Sequence, residues 1–135
     1  MIRGNCLCKG IEFDINFLEG PLIHCHCNFC RRTHSSAFSS NMTCNTENFI
    51  LLKGDEYIRY YESSIGKKRY FCSQCGTSLW HTKEAMPDRM TIKMGTIEEF
   101  DDFNAKNIES FHINCASDKI WLSYENLKKY SELKG

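Results

Sequence analysis

The sequence predicts a mainly β domain of one or two small sheets, with a short helix near the C-terminal end. Three observations predict it. Apolar and polar residues alternate over short stretches, and glycines rather than prolines separate them. Helical periodicity is weak until the C-terminal segment. Seven of the nine cysteines fall in three tight clusters, placed where predicted strands end and turns begin.

The elements follow in order. Residues 11–17 alternate apolar and polar without a break, the pattern of a half-buried strand. Residues 49–53 and 57–61 flank Gly54-Asp55, which reads as a hairpin turn. Residues 68–71 lead into the third cysteine cluster. Residues 90–94 alternate again and stop at Gly95. Residues 112–115 and 119–122 are two further short strand candidates. Residues 124–133 place Leu127 and Tyr130 on one face of a helix, with Ser123 as N-cap. At 135 residues, a single domain over 1–135 is expected.

Composition excludes several function classes. Lys plus Arg and Asp plus Glu are both 17, a formal net charge of zero. A general nucleic-acid or anionic-membrane binder needs a basic surplus, so neither partner is expected. No apolar run approaches the roughly 18–20 residues of a membrane span. The first ten residues are polar, hold two cysteines and do not read as a signal peptide, so a cytoplasmic protein is expected.

Nine cysteines is an odd number, and structural disulfides rarely persist in a reducing cytosol. The clusters are Cys6-Leu7-Cys8, Cys25-His26-Cys27-Asn28-Phe29-Cys30 and Cys72-Ser73-Gln74-Cys75. In an extended C-x-C both side chains share a face, with Cα atoms about 6.6 Å apart, near the upper edge of the disulfide window. Two such thiolates still reach one zinc. Soft thiolate ligands suit zinc, copper(I) or iron–sulfur, and zinc is the default in a small domain. Two clusters of two give one closed four-sulfur site, and the cluster of three leaves a site one ligand short. Closed tetrahedra hold folds, whereas open positions do chemistry. Spacing does not fix the partners: Cys6 and Cys8 could join part of the middle cluster, or one structural site could leave spare thiols.

Cys44, His24, His26 or His34 could close the middle site. His26, between two ligands in extended chain, points away from them and reads as a surface or loop histidine or a proton carrier. His112 reads as a hydrogen-bonded structural histidine, and Cys44 and Cys115 as buried small hydrophobes. Arg31 and Arg32 directly follow the middle cluster and suit an anionic ligand. Arg69 reads as structural, and Phe38, Tyr70, Phe71 and Trp80 as core aromatics.

Three motifs carry a resemblance over most of the chain. Gly4-Asn5-Cys6-Leu7-Cys8 precedes a strand. Cys25-His26-Cys27-x-x-Cys30-Arg31-Arg32 and Arg69-Tyr70-Phe71-Cys72-x-x-Cys75-Gly76 follow in order. Together they resemble the glutathione-dependent formaldehyde-activating enzyme family, which includes centromere-protein-V-like members. The resemblance implies a β-tent fold of small stacked antiparallel sheets around a structural zinc on Cys6, Cys8, Cys72 and Cys75. It implies a second, catalytic zinc on Cys25, Cys27 and Cys30 with an open position. The implied reaction is carbon–sulfur lyase chemistry that joins glutathione thiol and formaldehyde as S-hydroxymethylglutathione. Its partners would be a small-molecule thiol such as glutathione, bound with the help of Arg31 and Arg32, and an aldehyde. Lys9 and Ser35 stand where the family usually has glycine. The rival expectations are a non-catalytic zinc-stabilised β-tent binding module and an enzyme like the methionine sulfoxide reductases, with Cys44 or Cys115 as nucleophile.

Overall fold

The computed structural model describes residues 1–100, 108–122 and 127–132. Two stacked sheets make up the protein. The smaller has the order β10 (Ile97–Glu99), β1 (Ile2–Asn5), β2 (Glu12–Ile15), β5 (Phe49–Lys53), all antiparallel. The larger has seven strands: β11 (Ser110–Ile113), β3 (Glu19–Cys25), β4 (Ser39–Asn45), β9 (Met86–Lys93), β8 (Ser78–Lys83), β7 (Lys67–Cys72) and β6 (Ile58–Ser64). Its neighbours run antiparallel except β11, which pairs with β3 in parallel.

Apolar side chains from both sheets meet between them. Phe13 of β2 stacks on Phe49 of β5 at 5.2 Å, and Trp80 of β8 meets them edge-on at 5.7 and 4.9 Å. Ile11, Ile15, Met42, Leu79 and Ile92 complete a buried centre around this trio. The alternation predicted for β2 holds at Phe13 and Ile15 but not at Asp14, which is also buried. Arg3, its cross-strand partner on β1, explains this: Nε and Nη2 donate to the two Asp14 carboxylate oxygens at 2.8 and 3.2 Å.

The hairpin expected at Gly54 does not form. β5 pairs with β2 while β6 pairs with β7, so the chain changes sheets at this point. Gly54 has φ +97°, and a Cβ there would lie 2.3 Å from the Gly10 carbonyl oxygen. Only glycine permits both the left-handed backbone and this approach. Residues 119–122 form no strand, and the 112–115 strand begins earlier, at Ser110. Of the expected C-terminal helix, residues 127–132 are not helical, and Leu127 and Tyr130 are exposed. Ser123 and residues 124–126 and 133 lie outside the described residues.

The helix that does form, α1 (Asn28–His34), sits inside the middle cysteine cluster. Seven residues are too few for periodicity to reveal it. Ser35 ends it at φ 48°, ψ 43°, and Lys9 after the first cluster has φ 59°. The two positions where the resemblance leads one to expect glycine are thus left-handed. A non-glycine residue costs roughly 1–2 kcal/mol there, and glycine's extra unfolded-state entropy returns about half. Ser35→Gly should therefore raise the denaturation midpoint, by about 0.5–1 kcal/mol in stability, with an unchanged denaturant slope. A lowered midpoint would refute the strain.

Candidate metal centres

The first centre gathers Cys6 and Cys8, from the loop between β1 and β2, with Cys72 and Cys75, from the turn between β7 and β8. All four sulfurs lie within 4.8 Å of one another. Cys6 Sγ is 3.6 Å from Cys8 Sγ, and Cys8 Sγ is 3.9 Å from Cys72 Sγ. Zn–S bonds of about 2.3 Å in a tetrahedron put sulfurs about 3.8 Å apart, so this donor set fits zinc. Backbone turns aim the thiols: Lys9 N–H donates to the Cys6 carbonyl at 3.0 Å and Gly76 N–H to the Cys72 carbonyl at 2.7 Å. Ile11 N–H donates to Cys6 Sγ at 3.3 Å. The centre joins the smaller sheet to the larger.

Its thiols do not titrate alike. Burial pushes Cys75 up, but the Thr77 hydroxyl at 3.2 Å and the neighbouring donors outweigh it and bring the thiol down to about 5. At Cys8 the Gly10 backbone pulls down, yet burial and the other three thiols raise it to about 11. Cys75 therefore sheds its proton more readily than Cys8.

The second centre gathers Cys25, Cys27 and Cys30, again within 4.8 Å. Cys25 ends β3, Cys27 is the N-cap of α1 and Cys30 lies in its first turn. The cap is itself a thiol: Cys30 N–H donates to Cys27 Sγ at 3.3 Å. Asn114 Nδ2 donates to Cys25 Sγ at 3.4 Å. Cys25 and Cys30 are buried, and Cys27 is partly exposed. Burial pushes Cys27 up, but the Cys30 backbone N–H and the other two thiols pull it below the usual thiol value. Burial raises Cys30 to about 11, against the pull of Lys93.

Among the described residues, no further Cys, His, Asp or Glu joins these three sulfurs at that spacing. Of the candidates to close the site, Cys44, His24 and His26 are engaged elsewhere, whereas His34 Nε2 is buried without a hydrogen-bond partner. Cys44 is fully buried in the main core. His24 bonds Ser40 Oγ at 2.8 Å and Ser110 Oγ at 3.1 Å. His34 is pushed down to about 4 by burial first, then by Lys93 and Arg69.

His26 is not a surface residue. It is fully buried, with Nδ1 donating to Asp118 Oδ1 at 2.6 Å and Nε2 2.8 Å from His112 Nδ1, where one ring must donate to the other. Its ring packs in a cluster with His112 and Phe38, just after the end of β3 at Cys25. His112 is hydrogen-bonded, as expected. Cys44 is buried, as expected, whereas Cys115 is exposed at a 3-10 turn after β11, beside His26 and Asp118. Strand alternation could not find this cluster, because parallel β11 brings it to β3 from nearly 90 residues away.

Two clefts flank α1. One, of about 730 Å³, is lined by Phe38, Ser39, His34 and Lys93. Lys93 is buried, with Nζ 2.9 Å from His81 Nδ1 and 3.1 Å from Asn41 Oδ1. Burial brings it down to about 8, against the attraction of Cys30. The other, of about 680 Å³, is lined by Phe29, Arg32, Tyr61, Arg69 and Tyr70. Arg31 instead bonds Asn28 Oδ1 at 3.3 Å. Trp80 is core, as expected; Tyr70 and Phe71 line this second cleft.

A two-sheet β scaffold with one four-thiol centre across its sheets and one three-thiol centre on a helix cap defines a cysteine-cluster protein suited to soft metals. The family model described as glutathione-dependent formaldehyde-activating enzyme matches residues 1–117, and the chain belongs to that family. It is 38% identical over 78 residues to an uncharacterised lyase of Schizosaccharomyces pombe, a match covering 58% of this chain and 55% of the relative. It is 25% identical over 87 residues to a Halomonas elongata protein that carries the family's name, covering 59% of this chain and 55% of the relative. The chain thus spans about half the length of these curated relatives. A Rhodobacter sphaeroides crystal structure has the same fold, with a TM-score of 0.64 at 21% identity over 81% of this chain and 99% of that one. Among the described residues, no helix is long and apolar enough to cross a membrane.

Proposed function

We propose that the chain is a zinc-dependent enzyme of carbon–sulfur lyase type, working as a single domain over 1–135, that joins glutathione and formaldehyde reversibly as S-hydroxymethylglutathione. The observation that carries this reading is the three-sulfur centre, whose Cys27 edge is open to solvent while Cys25 and Cys30 are buried. Cys6, Cys8, Cys72 and Cys75 hold the structural zinc, and Cys25, Cys27 and Cys30 hold the catalytic one. Zinc bound at the second centre supplies a Lewis acid that favours the thiolate form of a thiol at neutral pH.

The chain's own residues orient and enclose. Asn114 fixes the Cys25 sulfur, and the Cys30 N–H fixes Cys27. Arg32, with Arg31 beside it on α1, supplies positive charge to an anionic thiol. In the addition, the thiol loses its proton and its sulfur bonds to the aldehyde carbon. The carbonyl π pair moves to oxygen, which takes up a proton from water. For the reductase-like alternative, Cys44 is sealed in the core, which leaves the exposed Cys115 as its nucleophile.

Glutathione and formaldehyde also combine unaided, so the test is the exchange rate between free and adduct methylene signals, followed by NMR with fully metallated protein. An accelerated exchange that Cys27→Ser removes is expected. An exchange no faster than the uncatalysed one would contradict the assignment.

A further inference from the structure

The cleft between α1 and the β6–β7 hairpin carries an arginine that forms no ion pair with a carboxylate among the described residues. Arg69 of β7 is 5% exposed. Its Nε donates to Ser63 Oγ at 2.9 Å, and Phe29 of α1 lies 5.9 Å from its guanidinium carbon. Its Nη1 is buried without a hydrogen-bond partner. Arg3 and Arg89, both more exposed, have carboxylate partners in Asp14 and Glu19, whereas Arg31 Nε is, like Arg69 Nη1, buried without a hydrogen-bond partner. Arg32 enters the same cleft, and among the described residues no aspartate or glutamate lines it.

Lys67 and Lys93 each feel the attraction of the centre's cysteines and the repulsion of Arg69, so Arg69 shares the neighbourhood of the thiolate centre with two other cations. Three thiolates around a divalent ion carry one net negative charge, against these three cations. A buried guanidinium with an unmade hydrogen bond is costly unless a ligand completes it. A planar fork of donors selects a carboxylate. At about 680 Å³ the cleft suits a small molecule, with Tyr61 and Tyr70 as its apolar wall. Asn28 and Phe29, which line it, lie between Cys27 and Cys30 in the sequence, so its α1 wall is the turn that holds the three-sulfur centre.

We propose that this cleft is a carboxylate-binding subsite, in which Arg69 and Arg32 hold the carboxylate of the thiol whose sulfur reaches the Cys25/Cys27/Cys30 centre. The inference rests on the open-centre reading above and adds to it a recognition residue, Arg69, that reads the carboxylate of the thiol.

The test uses full-length protein refilled with cobalt, whose visible bands report a new sulfur ligand. Three probes are titrated: glutathione, its dimethyl ester and 2-mercaptoethanol. Glutathione should bind roughly 10- to 100-fold more tightly than the ester, the range for a charge-assisted hydrogen bond. That ratio should fall toward one in Arg69→Lys, which keeps the charge but loses the fork, and in Arg32→Gln. Should Arg69→Lys fail to fold, as its melt would reveal, the exposed Arg32→Gln and the ester comparison decide. Equal binding of glutathione and its ester overturns the subsite and leaves the open centre standing. So does a ratio that survives both substitutions. If none of the thiols, 2-mercaptoethanol included, alters the spectrum, both the subsite and the open centre fall.

Discussion

Cys72→Ser should abolish cooperative folding and release one equivalent of zinc per chain. Cys72 is fully buried, and its sulfur lies 3.9 Å from that of Cys8, 64 positions away. It closes the centre that joins the loop between β1 and β2, in the smaller sheet, to the turn after β7, in the larger. Apparent zinc-binding energies in small zinc domains are about 10–16 kcal/mol, comparable to a domain's entire stability of about 5–15 kcal/mol. Loss of one ligand from a closed tetrahedron also leaves Cys6 buried, Cys75 half-buried and Cys8 exposed with no ion to hold them together. The informative contrast is Cys44→Ser, equally buried but bonded to no metal in this account. It should cost only about 1–3 kcal/mol, the price of an unpaired buried hydroxyl. A melt of Cys72→Ser within a few degrees of the parent would mean that the four-sulfur centre is not structural.

Cys30→Ser should have the opposite profile. One zinc equivalent is lost, the melt stays cooperative, and exchange between formaldehyde and its glutathione adduct falls to the uncatalysed rate. Altering a residue behind a metal ligand already costs about 10- to 100-fold in affinity or activity, so loss of a direct ligand exceeds that. Cys30 sits in the first turn of a two-turn helix, away from the aromatic core shared by the sheets. The fold therefore loses a local tie and keeps its centre. Metal content, thermal melting and exchange rate on one preparation check all three. Retained metal together with retained exchange would remove the second centre from the chemistry.

The sequence was most legible where one strand's alternation settles the matter. The strand at 49–53 and the mainly β class are such cases, whereas spacing left the partners of Cys6 and Cys8 open and only the resemblance implied them. The turn at Gly54 misled because glycine marks a left-handed backbone without saying whether the next strand folds back or crosses to another sheet. α1 was invisible because a two-turn helix capped by a thiol has too few residues for a period. The His26–Asp118–His112 cluster and the unpartnered Nη1 of Arg69 depend on contacts between distant strands. Arg69 looked structural in sequence, since it lies in a strand next to the third cluster. Its position opposite Phe29 of α1 makes it a binding candidate. Lys9 and Ser35, by contrast, were readable as departures from glycine, and both prove to be left-handed.

The central claim is that one zinc is closed by four thiolates and a second is held by three, with its last position taken by a thiol. Zinc-edge X-ray absorption on protein carrying two zincs tests it most directly. The mean sulfur number should be about 3.5 per zinc without glutathione and rise to about 4 with it. A value already at 4 before glutathione, or one that glutathione leaves unchanged, would contradict the account.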